Sequence, residues 1–218
     1  MKKRISRLID TGLEQLASMV FRMGEMAIKT VSLSLNSYIE STSVHSQVQN
    51  LSDTLILMAE EAEEKAFELI ARFQPVATDL RILKSYMKIT YDFTRYGRYA
   101  LDITQIYEKL GGLKECEVWV KQAIREMSEK VLIMTRTSVD SLKSHDTKLA
   151  KTMSEIEKQV DDMYFKYLDR LVEKAPATNR CTISSVLIVR YLERIADHAT
   201  YIGESIIYLA TGKKIMLR

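Results

Sequence analysis

The chain has 218 residues, with 32 Lys plus Arg against 29 Asp plus Glu and a net charge of +3. At 46% hydrophobic and 28% charged it has the balance of a globular protein, long enough for one sizeable domain or two small ones, and the slight positive excess is too weak a field to point to nucleic acid. Seven Gly and two Pro cannot supply the turn every 8–12 residues or so that a β-rich chain needs, so an all-β fold is excluded and an α/β sheet is not expected.

The N-terminus, Met1-Lys2-Lys3-Arg4, is basic but no apolar run follows it, which argues against a signal peptide. Uncharged stretches such as Ser41–Ser52 fall short of the roughly 20 apolar residues that a membrane span requires. The spacing of apolar residues predicts six long helices, over 3–42, 45–74, 78–110, 113–143, 146–175 and 180–211. Breaks fall at Ser41-Thr42-Ser43, Pro75, Gly111-Gly112, Ser144-His145-Asp146, Pro176 and Gly212. Thr78 and Asp79 follow the first proline, and Thr178 and Asn179 the second, all residues able to cap a helix N-terminus. In the third helix Ile89, Phe93, Tyr96, Ala100, Ile103 and Tyr107 recur at 3–4 spacing. Met153, Ile156, Val160, Met163, Tyr167 and Leu171 do so in the fifth, and Ile188, Leu192, Ile195, Ala199, Ile202, Ile206 and Leu209 in the sixth. Such stripes are buried faces.

The breaks repeat. Pro75 and Pro176 lie 101 residues apart, Gly112 and Gly212 lie 100 apart, and Arg81, Ile89, Arg95, Ala100 and Ile103 meet the same residue types 99 positions later. The expected fold is therefore all-α: two tandem, pseudo-symmetric antiparallel three-helix bundles, residues 1–110 and 111–218. Cys116 and Cys181 form no CxxC, which speaks against a zinc knuckle or a redox pair. They are read as helix-packing residues in a reducing intracellular compartment.

Glu193 and Asp197 are one turn apart and two residues either side of Ile195, so both point about 160° from the apolar stripe. Glu157 and Asp161 form a similar pair on the preceding helix. Carboxylates so paired can hold a hard cation, and Arg190 and Arg194 stand close enough to neutralise them without one. No Glu-x-x-His, GxxxxGK[ST], GxGxxG or Gly-x-Ser-x-Gly occurs, so ferritin-like di-iron, nucleotide-loop and hydrolase-elbow chemistries find no footing. His198, beside Asp197, is read as a surface or inter-helix hydrogen-bonding residue.

The segment Arg190-Tyr191-Leu192-Glu193-Arg194-Ile195-Ala196-Asp197-His198-Ala199 closely resembles the signature of the PhoU family of phosphate-uptake regulators, and Gln74-Pro75-Val76-Ala77-Thr78-Asp79-Leu80-Arg81 resembles that family's other junction. Thr211-Gly212 ends the helix as in the family, and the resemblance spans nearly the whole chain. It implies a cytoplasmic, non-enzymatic regulator that acts with the ATPase of a phosphate ABC transporter and with a sensor histidine kinase, as a homodimer touching the membrane only through the transporter. An accessory subunit of a different phosphate permease and a helical-bundle carboxylate metalloprotein are the alternatives. The resemblance also implies metal binding (iron, zinc or another hard ion) at Glu193, Asp197, Asp161 and Glu157. The matching positions of the first half hold Thr94 and Arg98, so metal is expected in the second half alone, with Arg98 pairing with Glu60 or Glu64.

Overall fold

The computed structural model describes residues 8–174 and 179–217. Six helices follow in order: α1 (Leu8–Glu40), α2 (His45–Phe73), α3 (Thr78–Leu110), α4 (Val118–Ser144), α5 (Thr147–Lys174) and α6 (Arg180–Thr211). The fold is all-α, in the arrangement of two tandem three-helix bundles. α1 packs on α2 and α3, and α4 packs on α5 and α6, while the halves join through α3 against α6 and α1 against α4.

The stripes are the cores. Ile89, Phe93, Tyr96, Ala100 and Ile103 of α3 are fully buried, as are Ile188, Leu192, Ile195, Ala199, Ile202 and Ile206 of α6. Burying each large aliphatic side chain contributes about 1.5–3 kcal/mol, and that is what holds helices with few good caps. Gly24 brings α1 close to its neighbours: a Cβ there would come within 2.9 Å of Val139 Cγ2 on α4 and 3.0 Å of Phe93 Cζ on α3.

The ends are set locally. Gln74 takes a left-handed conformation and its amide bonds back to Ile70, closing α2. α3 begins without a side-chain cap, contrary to the expectation for Thr78 and Asp79, because Thr78 is already the first helical residue. At the other junction Asn179 Oδ1 accepts from Thr182 N, 2.9 Å away, and caps α6. Pro176, Thr178 and the expected first turn at residues 3–7 lie outside the described residues. His145 ends α4 at positive φ, and Asp146 Oδ1 accepts from the amides of Lys148 and Leu149 at the start of α5.

The fourth helix starts at Val118 rather than residue 113, since a 3-10 turn over Leu113–Glu115 fills the gap. That turn places Cys116 against the first turn of α6, where it forms a disulfide with Cys181, Cα–Cα 5.6 Å. The cysteines are thus a covalent tie and not separate packing residues, so they no longer argue for a reducing compartment; a 65-residue separation conceals the pairing in the sequence.

Candidate functional site

The four predicted carboxylates occupy α5 and α6, but not on a solvated face. Glu157 is 2% exposed and Asp197 3%, and the Glu193 side chain is 13% exposed. A single amphipathic helix has one buried side, whereas α6 is packed by α3, α4 and α5, which covers the flank where the sequence placed solvent. Asp161 lies near enough to Glu193 to disfavour its charge. Burial first, then the negative charge of Asp197, pushes the Glu193 carboxyl above the usual carboxylate range, against the pull of Arg190 and Arg194.

Those two arginines take the place expected of a cation. Arg190 Nη1 lies 2.8 Å from Glu193 Oε2, off the direction of a hydrogen bond. Arg194 Nη1 donates to Asp197 Oδ2 at 3.3 Å. Among the described residues no group of three or more His, Cys, Asp and Glu side chains is placed to hold a metal ion. The expectation of an iron, zinc or similar cofactor is therefore corrected: a guanidinium is permanently charged and already contacts each α6 carboxylate.

In the first half, Arg98 does not reach α2. Its Nε lies 3.4 Å from Asp102 Oδ1 on the same helix, with the arginine side chain 60% exposed. One turn of helix offers a nearer acid than Glu60 or Glu64. Thr94 Oγ1 donates to the Tyr91 carbonyl.

The seam between α3 and α6 holds a polar pair: His198 bonds between helices, one of the two readings the sequence offered, and its partner Asp92 is the residue that sequence reasoning missed. Asp92 is 1% exposed, and its Oδ1 lies 2.8 Å from His198 Nδ1. Its Oδ2 is buried without a hydrogen-bond partner. Burial raises the Asp92 carboxyl, and the His198 hydrogen bond partly offsets that. Around the imidazole stand Tyr201, edge-on at 5.3 Å, Tyr99 at 5.7 Å and Tyr91 at 6.3 Å. The guanidinium of Arg95 covers the Tyr99 ring at 4.8 Å and donates to its hydroxyl at 2.7 Å. The two halves differ here. Asp92 and Tyr191 are 99 residues apart, as are Tyr99 and His198, and Tyr99 stacks beside Tyr191 at 6.0 Å. One repeat position thus carries an aspartate–histidine bond and its counterpart a tyrosine pair. The available signal was the acid inside an apolar stripe, Asp92 next to Phe93.

The PhoU domain pattern matches this chain twice, over residues 20–106 and 124–206. A Clostridium acetobutylicum protein named phosphate-specific transport system accessory protein PhoU homolog is 32% identical, over 97% of this chain and 98% of that protein. A Pseudomonas aeruginosa protein of the same name is 30% identical, over 97% and 88%. The crystal structure of PhoU from Pseudomonas aeruginosa superposes with a TM-score of 0.87 at 29% identity, covering 94% of this chain and all of that one. The phosphate transport system regulatory protein PhoU from Streptococcus pneumoniae shares the fold, with a TM-score of 0.83 at 21% identity over 95% of this chain and 99% of that one.

Proposed function

The chain belongs to the PhoU family, and from that premise we propose that it restrains phosphate uptake by docking on the ATPase of a phosphate ABC transporter. As a phosphate-regulatory PhoU homologue it is a regulatory, non-catalytic protein. The observation that carries the proposal is alignment with a named transport accessory protein over 97% of this chain and 98% of that protein. That name favours a transporter accessory over the alternative permease subunit. A sensor kinase as second partner and a homodimer belong to the same reading.

Residues 1–110 and 111–218 are taken as the two repeat units. Within the second, Glu193 and Asp197 of α6 are held by Arg190 and Arg194 of the same helix, and Glu157 and Asp161 face them from α5. The burial of Glu157 and Asp197 and the two arginine contacts support a structural part for the group. No helix among the described residues is long and apolar enough to cross a membrane. In the proposed reading, contact with the bilayer runs through the transporter, on its cytoplasmic side.

The test is affinity capture from cells grown at high phosphate, with mass spectrometry of the bound proteins, beside phosphate uptake in a deletion strain. The expected outcome is enrichment of a transporter ATPase and disturbed uptake. Unchanged uptake together with no captured ATPase overturns the proposal.

A further inference from the structure

A groove of about 760 Å³ runs between the N-terminal half of α3, the C-terminal half of α6 and the segment after Gly212. Lys84, Ser85 and Lys88 line it from α3, Glu204 and Tyr208 from α6, and Lys214 from the segment beyond. Three ammonium groups meet one carboxylate. That carboxylate is committed to the fold, since Glu204 Oε1 accepts from Leu217 N at 3.0 Å. Among the described residues none of the three lysines makes an ion pair. Lys84 Nζ instead stands 5.8 Å from the Tyr208 ring centroid and Lys88 Nζ 5.8 Å from that of Tyr201. Lys84 and Lys88 are one turn apart on the same face, where like charges repel. Asp92, deeper in the seam, is the next acid that senses Lys88, and it is bonded to His198.

Ser85 supplies an independent observation. It is 2% exposed, and its Oγ is buried with no hydrogen-bond partner. A buried helical hydroxyl ordinarily bonds the carbonyl three or four residues back. Thr90, Thr104, Ser185, Thr200 and Ser205 of the same two helices all do so. Ser85 does not, and an unmade buried hydrogen bond is costly. A donor hydroxyl among three cations is the chemistry that recognises an oxyanion carrying more than one charge.

We infer that this groove binds a phosphorylated small molecule, its phosphoryl oxygens on Lys84, Lys88, Lys214 and Ser85 and its organic body along Tyr208, Ile215 and Met216. The volume suits this class, since small-molecule sites run to about 300–1,000 Å³ and are mostly apolar with a few placed polar groups; inorganic phosphate would leave most of it empty. The inference goes beyond the transporter reading and does not depend on it, because binding is measured on the purified chain without partners.

The experiment is isothermal titration calorimetry of the full chain with ADP, and with AMP, inorganic phosphate and adenosine as comparison arms. ADP should bind saturably and AMP more weakly. Inorganic phosphate should bind more weakly still, and adenosine without detectable heat. Lys84→Gln with Lys88→Gln should weaken ADP binding about tenfold or more, and Ser85→Ala about threefold. Lys109→Gln, beside a groove at the opposite end, should leave it unchanged. The lysines are exposed and Ser85→Ala removes one unpaired atom, so these variants fold; circular dichroism checks that. The inference is overturned if ADP fails to bind at millimolar concentration, if the lysine double variant keeps full affinity, or if inorganic phosphate binds as tightly as ADP.

Discussion

The charged form of Asp92 is disfavoured by its surroundings. Desolvation holds its carboxyl above the ordinary range, and the bond to His198 recovers part of the cost. The folded-state pKa is raised, so this group's contribution to stability is fully present below the unfolded value near 3.9 and is lost as pH rises through the folded one. Asp102 and Glu193 shift the same way, burial being the largest cause in each. Asp92→Asn should therefore flatten the fall in stability from about pH 4 upward by one group's share. Denaturant midpoints measured across that range decide it, and an unchanged slope would mean that Asp92 titrates normally.

At the scale of elements, the α4–α5 corner rests on a single side chain. Asp146 satisfies two amides of α5 that have no helical partner, so Asp146→Ala should cost about 1 kcal/mol, read as a lower urea midpoint. The Cys116–Cys181 bond ties the segment between the halves to the start of α6 across 65 residues. Closing a loop of that length in the unfolded chain stabilises the fold by about 2–4 kcal/mol. Unfolding with and without dithiothreitol should show a loss of that order. Replacing both cysteines by serine should remove the difference between the two curves, and a difference that persists would assign it to another cause.

For the whole molecule, the decisive contact is between halves. The α3–α6 seam is antiparallel, with Arg81 Nε donating to the Leu209 carbonyl at one end and Tyr99 beside Tyr191 further along. Tyr38 of α1 meets Ser184 of α6 at 2.7 Å, and Tyr96 of α3 meets Ser138 of α4 at 3.3 Å. The bundles are thus one body, with Gly24 at the α1–α4 approach. Gly24→Ala should force Val139 and Phe93 aside and cost about 1–3 kcal/mol. A cooperative transition at lower midpoint is expected in thermal unfolding, and an unshifted midpoint would show that the joint has slack.

The six helices were legible in the chain because their stripes are local and periodic. Ile188 to Ile206 on α6 and Ile89 to Ile103 on α3 announced their buried faces by spacing alone, and the breaks at Gly111 and Gly212 marked where they stop. Family membership was legible for a related reason, since its signatures are contiguous. What periodicity cannot show is how many sides of a helix are covered. One stripe predicts one buried face, yet α6 lies against three helices, which turned the expected solvated carboxylates into buried ones matched by Arg190 and Arg194. Residues far apart in sequence meet only through that packing: Cys116 with Cys181, Asp92 with His198, and Lys84 and Lys88 with Lys214 around the groove. The spacing of apolar residues fixed each helix by itself, and the docking of α3 on α6 decided which polar groups share a site.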